Sequence, residues 1–569
     1  MSHSIWKPSV TSNPKAINKI SKELSLSPIT SKILVNRGID TVDKVNKFFD
    51  DDFSNLNDPY LFDQMGIAVK RILGAWDETI MVFGDYDVDG VSATTILTKA
   101  LRSKGYTIIP KLGSRNAGYG IKPEHVIEAK RQGVRLIITV DLGTACFAAA
   151  EKAKELGIDI IVTDHHVPKG KRVDVLAIIN PHCDNYPYKG LCGTGVAFKL
   201  IQALSRELPG LNEKEYLEFV AFATVADVVP LTGENRILTK LGLDKLSHTK
   251  HVGLRAFLMA NSLYEKKMTS DIVGFILGPR INAAGRMESP DIALEMFLID
   301  KEQDFDRAIN IAKELTSLNN ERKKVEHQIR DEALQQIQDK GYEKDPTIVL
   351  ASETWQKSVV GIVASVISNM FYRPCILLAL EGDKATGSGR NRAPKLGLLE
   401  ALNKCEAVLS EFGGHAAAAG LSLSADKIDI FRDQMNRVAS KVLKPEDLVP
   451  VIEYEDVVDI RKLNYELYDE LIRLQPYGQG NPFPLFLVED VLVPRAETTK
   501  DGEHLRLTIM KEKLMKSGVG FWMGHHKQEL FKDPTQRYDL LFEFDRNVYD
   551  GEEFLQLSLR DIKPVDLLW

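Results

Sequence analysis

Ile80-Met-Val-Phe-Gly-Asp-Tyr-Asp-Val-Asp-Gly90 starts with four apolar residues and then sets carboxylates at 85, 87 and 89. The apolar run reads as a buried strand, with the acids at its carboxyl end. Acids this close repel one another and lose hydration, so the cluster is costly unless a cation neutralises it. The arrangement recurs. Arg135-Leu-Ile-Ile-Thr-Val140 runs into Asp141, and Ile158-Asp-Ile-Ile-Val-Thr163 runs into Asp164-His165-His166. Acid and imidazole donors at the ends of three apolar strands predict one polynuclear metal site. Taken alone, the acidic run would fit a calcium loop, and His165-His166 a structural or surface pair. The calcium loop needs a glutamate six residues after its glycine and a helix before it. Here Ile96 and a strand stand in those places.

From about 78 to 230 strands and helices alternate. Strands are expected at Ile80–Phe83, Tyr106–Lys111, Arg135–Val140, Ile158–Val162 and Val175–Asn180, and helices at Ser92–Lys104, Pro123–Gln132 and Thr144–Leu156. That order predicts an α/β fold with a doubly wound parallel sheet. Such sheets bind ligands beyond the carboxyl ends of their strands, where the acids fall. Residues 291–340 lack glycine and proline, and their apolar residues recur at helical spacing. One long connecting helix, or two abutting ones, is expected there, with Arg322, Lys323, Lys324 and Arg330 on its other face, a solvated face by default and a wall of a nucleic-acid groove as the alternative. A second α/β domain follows (341–445), and then a C-terminal β-barrel of OB type (446–569) built from five or so short strands. A helical lead-in (1–60) and the metal-bearing domain (61–290) complete the expected division.

A length of 569 residues exceeds what one hydrophobic core holds. No apolar run approaches the roughly 20 residues that cross a bilayer, and Met1-Ser-His-Ser-Ile-Trp-Lys-Pro8 lacks the apolar core of a secretory signal. Five cysteines, odd in number and without Cys-x-x-Cys spacing, argue against a disulfide framework or a thiolate zinc site. A reducing, cytoplasmic setting is expected. The net charge of −7 weighs against a protein that coats nucleic acid unspecifically, and leaves room for one with a local basic groove.

Val82-Phe-Gly-Asp-Tyr-Asp-Val-Asp-Gly90, Asp141-Leu-Gly143, Thr163-Asp-His-His166 and Ala226-Asp-Val-Val-Pro-Leu231 stand in the order of the DHH phosphoesterases. The chain resembles that superfamily and, within it, the RecJ family of single-strand-specific 5′→3′ exonucleases. The narrower resemblance is carried by Ser114-Arg-Asn-Ala-Gly-Tyr-Gly120, Leu277-Gly-Pro-Arg-Ile-Asn-Ala-Ala-Gly-Arg286, Gly387-Ser-Gly-Arg390, Phe412-Gly-Gly-His-Ala-Ala-Ala-Ala-Gly420 and Pro476-Tyr-Gly-Gln-Gly-Asn-Pro482. It covers nearly the whole chain.

The resemblance implies that Asp87, Asp89, Asp141, His165 and Asp227 hold two divalent ions, manganese before magnesium, with Asp141 bridging. Asp85 becomes a base or orienter, and His166 a contact to the scissile phosphate. Hard oxygen donors with one or two imidazoles suit manganese, and Asp164 is expected to orient the imidazoles that follow it. Arginine beside glycine suits a close phosphate, which marks Arg280, Arg286 and Arg390. With the resemblance, Arg115, Ser388 and Arg390 become candidates for a terminal 5′-phosphate, and His415 for another phosphate. Tyr119, Trp355 and Tyr477 are candidate stacking platforms, with a core or interface aromatic as the commoner role of each. Where the family usually has asparagine, histidine and serine, this chain has Leu142, Gln356 and Asn391.

The implied activity is two-metal hydrolysis of single-stranded DNA from its 5′ end, releasing 5′-mononucleotides in recombination and repair. A monomer is expected, with single-strand-binding protein as a partner that the family implies. Two rivals are a phosphodiesterase of short oligonucleotides or cyclic dinucleotides and a non-catalytic replication scaffold. The scaffold reading requires lost metal ligands, and none is lost here.

Overall fold

Ile80 and Val82 face one core with Ile96, Leu136 and Phe198, while Met81 and Phe83 face another with Val126, Ile137 and Val162. A strand buried on both faces in this way belongs inside a parallel sheet. The sheet is formed by β1 (Thr79–Gly84), β2 (Thr107–Leu112), β3 (Val134–Val140), β4 (Asp159–Thr163) and β5 (Ala177–Ile179). All neighbours are parallel, in the order β2-β1-β3-β4-β5. Strand order reverses between β1 and β3, so a crevice opens beyond the ends of those two strands. The structure, a computed structural model, describes every residue except 1–3, 10–12, 116, 117, 119, 169, 501, 531, 532, 534, 550, 551 and 566–569. Tyr119 therefore lies outside the described residues.

The helix after β1 starts four residues earlier than its apolar pattern predicts. This helix, α1 (Val88–Arg102), is capped by Asp87, whose Oδ1 accepts from the N–H groups of Asp89 and Gly90 at 3.0 and 3.2 Å. A helix N-terminus welcomes carboxylates, so the acidic run belongs partly to the helix.

The sheet belongs to one of two compact units, Asp52–Leu448 with Gly478–Gly480. Its further helices include α2 (Gly193–Ser205), α3 (Leu217–Ala226) and α4 (Gly278–Met287). The glycine- and proline-free stretch divides into Asp291–Leu298 and a 36-residue helix, α5 (Phe305–Lys340). Ala308, Ile311, Ala312, Leu315 and Leu318 of α5 pack into the first-sheet core, and Ile329, Ala333 and Ile337 into the core of a second sheet. One helix thus fixes two lobes together.

The second sheet holds β6 (Ile348–Ser352), β7 (Cys375–Glu381), β8 (Lys384–Arg390), β9 (Glu411–Gly414) and β10 (Ala418–Ser424), in the order β9-β10-β8-β7-β6. The glycine-dense 386–391 segment is largely a central strand, and the Gly413–Gly420 stretch is a hairpin. Helix α6 (Lys357–Phe371) covers β7 and part of β8.

The other unit comprises Met1–Asp51, Val449–Tyr477 and Asn481–Trp569. Its barrel runs through β11 (Asp456–Val457), β12 (Leu485–Thr498), β13 (Leu505–Lys511), β14 (Leu514–Gly520), β15 (Arg537–Tyr549) and β16 (Glu552–Pro564). Pairing of β12 with β15 closes it. Phe542 and Phe544 fill the barrel core with Tyr477, whereas Phe521 and Trp522 are exposed. Tyr477 is thus a core residue and not a stacking platform. A short strand, Ile5–Pro8, pairs with Val451–Tyr454, and the N-terminal helices share the barrel's core. Among the described residues no helix is long and apolar enough to cross a membrane.

Candidate active site

Asp85 follows β1, Asp141 follows β3 and Asp164 follows β4, so the parallel sheet delivers all three to the crevice. Asp227 arrives from the C-terminal end of α3. His165 Nε2 lies 3.2 Å from Asp141 Oδ1, 3.7 Å from Asp227 Oδ2 and 3.9 Å from Asp89 Oδ2. Three overlapping donor sets result: Asp141 with His165 and His166, Asp89 with His165 and Asp227, and Asp85 with Asp87 and Asp141. In each set the donor atoms lie within 4.8 Å of one another. Asp141 and His165 each serve two sets.

Backbone geometry is specialised here. Asp141 takes φ 60° and Val228, next to Asp227, φ 59°. A β-branched residue in the left-handed region is strained, and such strain persists where the surroundings fix it. A Cβ at Gly193 would fall 2.5 Å from Asp141 Cβ, so only glycine lets the start of α2 meet Asp141. That helix start also takes up Asp89, whose carboxylate accepts from Gly193 N–H at 2.6 Å and Thr194 N–H at 2.7 Å.

The electrostatics call for compensating positive charge. Burial, with repulsion from Asp89 and Asp87, pushes Asp227 up to about 9. Burial and Asp87 push Asp85 up to about 7, and burial with Asp89 raises Asp141 well above the carboxylate range. Asp85 Oδ1 and Asp227 Oδ2 are buried without a hydrogen-bond partner. Burial lowers His165, which favours the neutral imidazole that ligates. These oxygen and imidazole donors fit hard divalent cations.

Asp164 plays a different part. It accepts from Thr144 N–H at 2.9 Å and from the N–H groups of His165 and His166 at 2.8 and 3.1 Å, with His166 Nδ1 at 2.8 Å. Burial opposes its ionisation, yet His166 and Thr144 hold it at about 2. Asp164 therefore fixes the backbone of both histidines and the ring of His166, and leaves His166 Nε2 directed away from it.

A cationic group adjoins the acids. Arg115 stacks on Tyr86, its guanidinium 4.5 Å from the ring centroid. Arg286 is pushed down to about 10 by burial and by Arg115, Arg322 and Arg390. Ser388 Oγ and Arg390 Nη2 lie over Gly361 of α6, each 3.1 Å from where a Cβ would stand. Buried guanidinium N–H groups without partners, Nε of Arg115 and of Arg322, indicate an anion site. Arg322 was expected on a solvated face but is buried, because both lobes pack against α5. Its signal was the neighbouring heptad-spaced Leu318 and Val325, which place 322 beside the core stripe.

Arg280 turns to the Ile276 carbonyl on the preceding turn, and its helix sends Arg286 into the cluster instead. His415 sits at the tip of the β9–β10 hairpin, exposed, its Nδ1 accepting from Ala417 N–H at 3.3 Å. Gly420 of that hairpin pairs with Ser388. Trp355 is 4 % exposed and donates to Glu332 at 2.9 Å, which removes it as a stacking platform. Leu142 is buried among apolar residues beneath the sheet, and Asn391 ties the turn after β8 through the Ala393 N–H and carbonyl. Gln356 stands at the N-cap of α6 without a side-chain capping bond.

Family models match three segments: the N-terminal domain of the DHH family at 79–224, the DHHA1 domain at 344–441 and the RecJ OB domain at 454–561. The chain is 35 % identical over 552 residues to the single-stranded-DNA-specific exonuclease RecJ of Bacillus subtilis, covering 96 % of this chain and 69 % of that one. To its Escherichia coli namesake it is 34 % identical over 534 residues, 88 % of this chain and 90 % of the other. The crystal structure of RecJ in complex with Mn2+ from Thermus thermophilus superposes with a TM-score of 0.84 at 28 % identity, over 99 % of this chain and 80 % of that one. A second structure of that protein holds Mg2+. With three family domains in order and such identity along most of its length, the chain belongs to the RecJ family of the DHH superfamily.

Proposed function

We propose that this protein is a divalent-metal-dependent exonuclease that degrades single-stranded DNA in the 5′→3′ direction and releases 5′-mononucleotides, in recombination and repair. The observation that carries this reading is the juxtaposition of three overlapping donor sets with a buried arginine cluster. Asp87, Asp89, Asp141, His165 and Asp227 would hold two ions, manganese before magnesium, with Asp141 shared. Two ions bound there supply an activated water and stabilise the entering and leaving oxygens.

The chain's own groups do the rest. His166, with Nδ1 fixed on Asp164, offers Nε2 to a scissile phosphate oxygen. Asp85, held near neutrality, takes up or orients a proton. Arg115, Ser388 and Arg390, joined by Arg286, grip the terminal 5′-phosphate, and that grip sets polarity. His415 offers a further phosphate contact from its hairpin. A monomer acting on DNA handed over by single-strand-binding protein completes the reading.

Manganese added to the purified chain, with 5′-labelled single-stranded and duplex DNA, tests it directly. Labelled mononucleotide from the single strand alone is the expected product; absence of hydrolysis, or activity confined to dinucleotides, overturns the reading. For Arg390→Ala, kcat/KM on 5′-phosphorylated ends should fall about 10–100-fold, as for a lost charge-assisted contact. Ends carrying a 5′-hydroxyl should be affected much less. Equal losses on both would remove Arg390 from end recognition.

Metal and pH are linked through the same acids. Each raised carboxyl keeps a proton in the folded chain that the unfolded chain has lost, so the metal-free fold loses stability as pH rises from roughly 4 towards 9. Cations need the ionised form and reverse that slope. Thermal unfolding in chelator and in manganese should therefore show a larger stabilisation by metal at pH 8 than at pH 6. A shift independent of pH would contradict the ligand assignment.

A further inference from the structure

On the other flank of His165 lies a cavity of about 460 Å³, lined by His165, His182, Tyr188, Lys189, Leu191 and Pro230, among others. Nothing in the mechanism above uses it. Its volume falls within the range of roughly 300–1,000 Å³ typical of small-molecule sites. Leu191, Val229, Pro230 and the Tyr188 ring give it apolar walls, Lys189 gives it a cation, and His182, which burial and Lys189 keep neutral, gives it an imidazole.

The walls are fixed. Tyr188 donates its hydroxyl to the Pro230 carbonyl at 3.1 Å. A Cβ at Gly190 or Gly233 would come within 2.7 or 2.8 Å of the Tyr188 side chain, so both glycines close on it. Lys189 Nζ donates to the carbonyls of Pro181 and Asp184, which uses two of its three donors and holds the ammonium in place. His182 N–H donates to Asn180 Oδ1 at 2.8 Å, and Asn180 Nδ2 donates to the His166 carbonyl at 2.9 Å. One asparagine therefore ties the pocket loop to the loop bearing His165 and His166. Leu231 N–H donates to the Gln479 carbonyl at 2.7 Å, which anchors the segment following Pro230.

The arginine cluster and this pocket lie against different members of the metal-binding set. Arg115 acts on Asp85 and Asp87, whereas the pocket opens on His165 and on the residues after Asp227. With a strand's 5′ end at the arginines and its first linkage among the acids, the next nucleotide lies toward the pocket. We propose that this pocket seats the second nucleotide, the one that keeps the scissile phosphate, its sugar and base against Tyr188, Val229 and Pro230 and its 3′-phosphate on His182 and Lys189. The proposal rests on the nuclease reading above and adds to it a subsite for the second nucleotide.

The test compares 5′-phosphorylated single-stranded DNA with the same strand carrying a neutral methylphosphonate at the second linkage from the 5′ end. His182→Ala should raise KM on the natural strand about tenfold, as for a lost hydrogen bond to a charged phosphate, with kcat within about twofold. The methylphosphonate should raise the wild-type KM by a similar factor, and combining the two should add less than about twofold more. Lys189→Ala should behave alike; since Lys189 also holds two carbonyls, His182→Ala decides the matter if that variant unfolds. Multiplying effects, or an unchanged KM, would overturn the subsite. Failure of wild-type protein to degrade either strand would instead sink the underlying nuclease reading.

Discussion

Asp141→Asn should lower kcat for phosphodiester hydrolysis by at least about 10³-fold, while single-strand binding persists. Asp141 stands between two donor sets, so its loss weakens both cation positions at once. Metal stabilisation of transition-state charge is worth several kcal/mol, and each 1.36 kcal/mol is tenfold, hence the size of the effect. Asparagine is the informative replacement because it tolerates the left-handed backbone at φ 60°, where alanine would add strain. It also keeps the side chain's shape against Gly193. Asp141→Ala should lose hydrolysis as fully and melt at a lower temperature. Fluorescence anisotropy with labelled single-stranded DNA checks that binding survives. Turnover within tenfold of wild type in the asparagine variant would remove Asp141 from the reaction.

The second large effect concerns stability. Lys199 and Glu234 form an ion pair at 2.6 Å with side chains 0 % and 4 % exposed. Glu234 also accepts from Asn57 N–H and Nδ2, both at 2.8 Å, and from Tyr186 hydroxyl at 2.6 Å. Lys199 donates to the Asn57 carbonyl at 2.9 Å and to Gln202 at 3.1 Å. The network joins the approach to the first lobe, the loop after β5 and the helix bearing Glu234. Lys199→Met should cost about 3–5 kcal/mol, because it leaves a buried carboxylate without its cation. The double variant Lys199→Met with Glu234→Gln should recover more than half of that loss. Urea unfolding of the three proteins measures it; a single-variant cost below about 1 kcal/mol would show that the pair is dispensable.

Much of the fold could be read from short-range pattern, and the exceptions have physical causes. Strand ends beside Asp85, Asp141 and Asp164 were legible because apolar runs buried on both faces stop abruptly at acids. The start of α1 was not, since carboxylates look like loop residues until a helix N-terminus accepts them. Arg322 is buried, which periodicity misses because it describes one helix and cannot show that two lobes pack along it. Trp355 and Tyr477 were read as platforms, yet their rings fill cores, and their hydrogen bonds to Glu332 and the Leu471 carbonyl satisfy the polar tips. The pairing of Ile5–Pro8 with Val451–Tyr454 joins distant parts of the chain, which no local pattern encodes. At the candidate site, the acids were legible from type and spacing. Arg286 was legible from the glycine beside it, whereas the pocket loop at 182–190 was not, since a lone histidine or lysine has no spacing to betray it.

Arg115, Arg286, Arg322 and Arg390 come from four separate stretches and from both lobes joined by α5. Guanidinium groups stay ionised at every physiological pH, so the protein without DNA carries a standing repulsion along that seam. Under the proposed function, a phosphorylated strand end would cancel it and act as a clasp while held. Once the terminal nucleotide departed, the repulsion would return and favour capture of the next end.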